Sequence, residues 1–223
     1  MKNAKIIAVL YALVAAVFYA FSTPLSKLLL REVPEVMMAS FLYLGAGVGV
    51  GIMYSFHWRK EDKGMRLGKK DLPYTIGMVA LDIAAPIFLI IGIKNGQASN
   101  ASLLGNFEIV ATSLIALLFF KEKVSKKLWT AIGLITLSSF ILSFEAGESF
   151  RFTGSSILVF LATFSWGLEN NCTRSISNKS SYEIVMVKGI FSGLGSLLIS
   201  LTVGEKFPEV KFILMTMILG FVS

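Results

Sequence analysis

Apolar residues in this chain are gathered into blocks of roughly 20 residues, separated by short polar segments. A block of that length is typical of a helix that crosses the ~30 Å hydrocarbon layer of a membrane. We predict eight such helices, with approximate bounds at Ile6–Leu30, Val36–Phe56, Tyr74–Ile93, Ala98–Phe120, Leu128–Phe144, Ser155–Ile176, Ile184–Val203 and Phe212–Ser223. The pattern therefore predicts an all-α, polytopic membrane bundle whose surrounding partner is a lipid bilayer.

Charge supports a membrane location and predicts an orientation. Charged residues make up 16% of the 223 residues, whereas a soluble domain carries about 25%. Basic residues concentrate in the loops His57–Asp71 and Lys121–Lys127 and after the sixth predicted helix, which all lie on one side. Because cytoplasmic loops are enriched in Lys and Arg, we expect the N-terminus to be cytoplasmic and the protein to reside in the cell membrane. The net charge of +7 is then explained without nucleic acid, which we do not expect as a partner.

Several kinds of chemistry find no residues to support them in the sequence. Cys172 is the single cysteine and His57 the single histidine, so neither a disulfide framework nor a thiolate metal site is expected. No phosphate-binding P-loop motif is present, which argues against ATP as the energy source. We expect no cofactor and no metal, and we expect the protein not to be an enzyme.

A weak internal repeat relates the first and sixth predicted helices. Tyr19-Ala20 corresponds to Trp166-Gly167, and Lys27 corresponds to Arg174, at one offset (166 − 19 = 147 and 174 − 27 = 147). The second copy starts after five helices, so it enters the membrane from the opposite side, as in the inverted repeats of transporters. We predict a 5+5 inverted-repeat fold, with residues 1–147 as a first repeat of five helices and residues 148–223 as an incomplete second repeat of three. Because the last apolar block runs to the end of the chain, we expect a shortened version of a longer protein, with about eight of ten helices.

Two carboxylates within the apolar blocks are candidate pathway residues, because a charge at the bilayer centre costs roughly 2.5–3.5 kcal/mol on insertion scales. Asp82 precedes Pro86 by four positions, and the proline removes the hydrogen bond to the carbonyl of residue 82. This pair indicates either a proton or cation site or a structural kink beside a protonated aspartate. Glu108 belongs to a small, polar stripe, and it is either a titrating transport residue or an interhelical hydrogen-bond partner. The stripe comprises Ala101, Gly105, Glu108 and Thr112.

The end of the sixth predicted helix carries a second polar group. Trp166, Glu169, Asn170 and Thr173 share one helical face, where they are able to line a groove with an aromatic ring, a carboxylate and an amide. The alternative is that they mark the interfacial end of the helix, where polar residues cost little. Lys188, one turn inside the seventh predicted helix, either binds an anion or a carboxylate such as Glu169, or snorkels to the interface.

Two stretches of the chain have a recognisable pattern: Glu108–Val110 followed by Lys121–Ser125, with 14 positions between the glutamates (122 − 108 = 14), and Gly154–Arg174, in which Trp166–Arg174 is the most specific part. On these stretches the chain resembles the EamA-type drug/metabolite transporter superfamily, which has the same spacing between glutamates and a similar opening of its second repeat. The resemblance covers essentially the whole chain and implies a ten-helix inverted-repeat fold with a central cavity.

Four positions depart from the family pattern. Ile109 replaces a proline, which puts the expected kink of the fourth helix in doubt, and Lys121 replaces a glycine. In the second helix of each repeat, Phe41 and Lys188 stand where family members often have arginine. A basic contact is therefore expected only in the second repeat.

The functional prediction is a multi-pass carrier that moves a small metabolite or drug-like molecule, with proton-coupled export as the mode that the resemblance implies. Its partners would be the substrate, protons and, as a possibility, a second copy in a homodimer. Two alternatives from other classes stay open. One is a membrane assembly or sensor protein that transports nothing. The other is a membrane-embedded enzyme, although Asp82 and Glu108 lie on different helices and no histidine lies within a predicted span.

Overall fold

The computed structural model describes residues 2–59, 61–94, 104–121, 125–145 and 154–222. These ranges contain α-helices joined by short segments and one 3₁₀ turn at Lys63–Met65. The helices are α1 (Lys2–Leu29), α2 (Glu35–His57), α3 (Leu72–Lys94), α4 (Phe107–Leu118), α5 (Lys126–Glu145), α6 (Gly154–Ser175), α7 (Ser181–Val203) and α8 (Val210–Val222). No β-strand occurs within those ranges, so the prediction of an all-helical chain is confirmed for the described residues.

The helices generally extend a few residues beyond the predicted apolar blocks, because polar residues form their first and last turns. For instance, α7 begins at Ser181, three residues before the predicted Ile184, since the Ser180 hydroxyl accepts a hydrogen bond from the Glu183 amide and caps the helix. The fourth predicted helix is interrupted. Leu104 and Gly105 are helical, Asn106 is a turn, and α4 proper starts at Phe107. Its predicted beginning, including Ala101, lies outside the described residues.

Three helices in the described part of the chain are long and apolar enough to cross a membrane. They are Glu35–His57, Leu72–Leu89 and Ser181–Val203, and the shorter α4 and α8 are also apolar. Large apolar side chains remain exposed along these helices, for example Phe56 on α2 and Leu198 on α7. Exposed apolar surface of this kind is expected where a helix faces lipid rather than water.

The chain divides into two compact units, and each takes helices from both predicted repeats. Unit 1 comprises residues 1–66 and 179–223, which contain α1, α2, α7 and α8. Unit 2 comprises residues 67–178, which contain α3 to α6. The division into repeats at residue 147 stays a prediction, since a sequence repeat need not coincide with a spatial unit.

Glycines bring the helices of unit 1 into close contact. A Cβ atom added to Gly47 would lie 2.5 Å from the Ile190 nitrogen of α7. On a different face of α2, Cβ atoms at Gly45 and Gly49 would collide with the α8 backbone at Met217 and the Phe221 ring. Small residues permit such backbone approaches in membrane bundles. These glycines are therefore a packing feature of unit 1.

Helices α2 and α7 run antiparallel. The Ser40 hydroxyl donates to the Gly193 carbonyl (2.8 Å), and near the other end of α2 the Tyr54 hydroxyl donates to Glu183 Oε1 (2.8 Å). The contact partner on α7 therefore moves toward lower numbers as α2 advances. This direction is what helices five positions apart adopt in a chain that crosses a membrane repeatedly.

A glutamate after α7 caps the start of α2. Gly204 ends α7 in a left-handed conformation (φ 83°), a common helix terminus because glycine pays no Cβ penalty there. The next residue, Glu205, accepts hydrogen bonds from the amides of Val36 (3.0 Å) and Met37 (2.8 Å). Pro34 at the start of α2 supplies no side-chain cap, so Glu205 satisfies amides that would otherwise lack partners.

At the opposite end of α2, aromatic and acidic side chains from two segments meet. The Tyr182 ring stacks on Tyr54 (5.9 Å between centroids) and on His57 (5.6 Å). A hydrogen bond from the Ser180 hydroxyl holds the pKa of Glu61 below its ordinary value, because it stabilises the charged form. These contacts order the loop after α2 against the start of α7.

In unit 2, α6 lies against both α3 and α4. A Cβ atom added to Gly77 of α3 would lie 3.1 Å from Cys172 Sγ, and one at Gly92 would lie 2.7 Å from Val159 Cγ2. These two contacts make α3 and α6 antiparallel. Helix α3 continues through Pro86 without interruption, so the predicted kink there does not end the helix.

Candidate functional site

Gly167 allows α4 and α6 to approach closely in unit 2. A Cβ atom added to Gly167 would lie 2.9 Å from both the Ala111 Cβ and the Thr112 nitrogen. Any larger residue there would push the two helices apart. Because the backbones are close, polar side chains one turn further along α6 reach α4. The polar site described next depends on this approach.

Asn171 joins α4 to α6 through its amide nitrogen. Its Nδ2 donates to the carbonyl of Thr112 on α4 (3.0 Å) and to the carbonyl of Gly167 on its own helix (2.8 Å). The side chain is buried, with 2% of its surface exposed. Asn171 therefore fixes the register of the two helices from inside the unit.

Asn170, the neighbouring residue, forms the polar centre of the site. Its Nδ2 donates to Glu108 Oε1 at 2.9 Å and, more weakly, to Thr112 Oγ1 at 3.4 Å. All three side chains are partly exposed rather than buried. The structure thus brings together three residues that the sequence predicted on two separate helices, and it leaves them accessible.

Glu108 lies in the first turn of α4, immediately after the interruption at Asn106. A carboxylate is favoured at this position because unsatisfied amide groups give a helix N-terminus a partial positive charge. The sequence placed Glu108 near the middle of a continuous span. Because Ile109 replaces the family's proline, the sequence put a kink in the fourth helix in doubt. The helix is nevertheless interrupted, three residues earlier, at Asn106.

Glu169 and Thr173 form a second, more deeply buried pair on α6. The Thr173 hydroxyl donates to Glu169 Oε1, and Glu169 is 3% exposed. Trp166, one turn before Asn170, is partly buried. Of the four residues predicted to share a face, Glu169 and Thr173 bond to each other, whereas Asn170 bonds across to α4.

Asp82 on α3 is among the most buried polar side chains of unit 2, at 1% exposure. This burial shows that its carboxyl group faces the protein and not lipid. Burying a carboxyl group within a membrane helix costs free energy, because the group loses its contact with water. Its predicted role as a proton or cation site stays a prediction.

The candidate lysines are placed differently. Lys188 lies on α7 in unit 1, partly buried, and the other candidate residues all belong to unit 2. Its predicted association with Glu169 stays a prediction. The side chain of Lys27 lies outside the described part of the structure. Within the described residues, no group of three or more His, Cys, Asp or Glu side chains is arranged to hold a metal ion.

Two functional features were missed by the sequence interpretation. Asn171 was read only as part of the segment Trp166–Arg174, although its position four residues after Gly167 is the signal for a side chain that bridges a close helix contact. The other is Glu205, since nothing local in the sequence indicates that it caps a helix 168 residues earlier.

The comparisons with known proteins agree with this architecture. Residues 6–144 match the EamA-like transporter family. A protein named as an uncharacterized transporter from Methanothermobacter thermautotrophicus (strain Delta H) is 25% identical over 199 residues, which cover 83% of this chain and 57% of that protein. The chain thus spans a little over half the length of this relative.

A solved crystal structure of another protein has a similar fold. The superposed region covers 96% of this chain and 73% of the other chain, with a TM-score of 0.75 and 11% sequence identity. At that identity the likeness concerns the fold alone, and it supports a helical membrane bundle. The family match spans more than half of the 223 residues (144 − 6 + 1 = 139) and confirms the resemblance seen in the motifs. The chain belongs to the EamA-like transporter family.

Proposed function

We propose that this protein carries a small molecule across the cell membrane, and that Glu108, Thr112 and Asn170 form part of its binding site. The single observation that carries the proposal is the hydrogen-bonded, partly exposed Glu108–Asn170 pair within unit 2, where the surrounding helices are apolar. A small number of polar groups in an apolar surrounding is typical of a small-molecule site.

The energetic cost of the carboxylates supports a transport role. Three acidic residues occur on α3, α4 and α6, namely Asp82, Glu108 and Glu169, and two of them are almost fully buried. Ionisable residues within membrane helices usually mark substrate or ion pathways, because a packing role does not require a charge. Export coupled to protons is consistent with these groups, since a buried carboxyl group is able to bind and release a proton.

The matching bounds of α2 and α7 support the inverted repeat. Both ends of the two helices are related by a single offset (181 − 35 = 146 and 203 − 57 = 146). This offset differs by one residue from the 147 obtained by matching the first and sixth predicted helices. Two similar, oppositely oriented halves allow alternating access to a site between them.

Replacing Glu108 by glutamine tests the proposed site. Cells expressing the full-length protein would be compared with cells expressing Glu108→Gln by mass spectrometry of medium and cytoplasm. For metabolites that the protein moves, we expect the transport rate to be at least tenfold lower with Glu108→Gln than with the unaltered protein. The neutral glutamine side chain lacks the carboxylate that binds and titrates. A protonophore would have the same effect on the unaltered protein if transport is proton-coupled.

Glu209→Gln is the matched control, because Glu209 is exposed and forms only a surface ion pair with Lys211 (2.7 Å). It should transport like the unaltered protein, and both variants should be present in the membrane in equal amounts. Equal transport by Glu108→Gln would refute a role for this carboxylate, whereas flux that survives the protonophore would refute proton coupling alone.

A further inference from the structure

We infer that the substrate of this site carries a protonated amine, which binds between Glu108 and Asn170. The inference rests on the proposed function and specifies the chemical class of the molecule that is carried. It follows from the direction of the hydrogen bonds at the site and from the negative charge of Glu108.

Both hydrogens of the Asn170 amide already take part in hydrogen bonds within the protein. Its single Nδ2 group donates to Glu108 Oε1 (2.9 Å) and Thr112 Oγ1 (3.4 Å), which accounts for the two hydrogens that an amide nitrogen carries. Within the described residues, Asn170 Oδ1 and the second carboxylate oxygen of Glu108 accept no side-chain or backbone hydrogen bond. The partly exposed pair therefore offers acceptors to a ligand, and the ligand must supply the N–H or O–H donors.

The charge of Glu108 itself favours a cation among possible donors. Over the four helices of unit 2 the formal charges balance, with four acidic residues (Asp82, Glu108, Glu145 and Glu169) and four basic residues (Lys94, Lys126, Lys127 and Arg174). The preference therefore depends on the partly exposed Glu108 carboxylate, which attracts a cation and repels an anion at short range.

An aromatic residue on the same helix fits the same class of ligand. Trp166 precedes Asn170 by one helical turn and is partly exposed. A side chain four residues away lies on the same face of the helix, and the face of an indole ring attracts ammonium groups. An amine bound to Glu108 and Asn170 would therefore have an aromatic neighbour for its apolar portion.

Three probes of one shape test the inference: benzylammonium, benzyl alcohol and benzoate. Their binding to the full-length protein in nanodiscs would be measured by calorimetry at pH 7. We expect benzylammonium to bind at least tenfold more tightly than benzyl alcohol, and benzoate to bind most weakly. Glu108→Gln should remove the preference for the ammonium over the alcohol, whereas Glu209→Gln should retain it.

Benzoate binding as tightly as benzylammonium, or an ammonium preference that survives in a folded Glu108→Gln protein, would overturn the inference. If Glu108→Gln does not fold, the order of the three probes on the unaltered protein decides. The outcomes separate the two proposals. Transport of an anionic metabolite without benzylammonium binding refutes the inference alone, and ammonium binding without any flux refutes the proposed transport.

Discussion

Asn171 binds two carbonyl oxygens on two helices with one amide nitrogen, so its loss should weaken the contact between α4 and α6. We expect Asn171→Ala to lower the free energy of unfolding by about 0.6–1.7 kcal/mol, which runs from the average to the largest value measured for interhelical hydrogen bonds in a membrane protein. Denaturant unfolding of the purified protein in detergent measures this change. Asn178→Ala is the control, since Asn178 is exposed in the turn after α6. A stability loss equal to that of the control would contradict the bridging role.

Single residues show where the sequence was informative and where it was not. The carboxylate of Glu108 and the amide of Asn170 stood out because polar groups are rare in apolar blocks. Their contact across 62 positions was not predictable, since it depends on Gly167 bringing two backbones together. Lys121, noted as a departure from a family glycine, has a positive φ of 54°. Lysine at this position adopts a conformation that favours glycine, so the family pattern identified a real backbone constraint.

At the scale of helices, the α2–α7 contact should tolerate no added side chain. In Gly47→Ala the new Cβ would lie 2.5 Å from the Ile190 nitrogen, and backbone atoms cannot rotate away as a side chain does. We expect a loss of about 1–3 kcal/mol in the free energy of unfolding, as for other overpacked interiors. The same unfolding assay reports it.

Gly133 provides the comparison for this element. It lies in α5 with no atom within 4 Å of an added Cβ, and alanine is the better helix former. Gly133→Ala should therefore be neutral or slightly stabilising. If Gly47→Ala unfolds at the same denaturant concentration as Gly133→Ala, the close packing of α2 on α7 is wrong.

The existence and approximate bounds of the helices followed from hydrophobic blocks, because each block must satisfy its own backbone in a membrane. Their pairing did not follow. Apolar residues occur on all faces of each predicted helix, so the pattern does not indicate which face contacts protein and which contacts lipid. For example, only the coordinates show that Gly45 and Gly49 contact α8 and that Gly47 contacts α7.

At the scale of the whole chain, the predicted orientation is testable with cysteines on the loops after α2 and α7. Because those helices are antiparallel, the loops lie at opposite ends of the pair. In a Cys172→Ser background, we expect Glu209→Cys to react with a membrane-impermeant maleimide on intact cells. Lys63→Cys should react only after permeabilisation, as basic loops remain in the cytoplasm. The reverse pattern would refute the cytoplasmic N-terminus.

The family and the all-helical class were accessible from sequence because motifs and block lengths are local. The grouping into two units was not, since it joins residues 1–66 to residues 179–223. Nothing in the composition of either segment marks the other as its partner. The inverted repeat stays a prediction, inferred from a handful of matched positions.

The Glu205 cap carries a consequence for biogenesis. The ribosome delivers α2 to the membrane long before it synthesises Glu205, so the amides of Val36 and Met37 must wait for their acceptor. Unit 2 is contiguous in sequence and is finished during that interval. Assembly of the nascent chain is therefore ordered, with the middle of the polypeptide complete before its two outer segments are able to join.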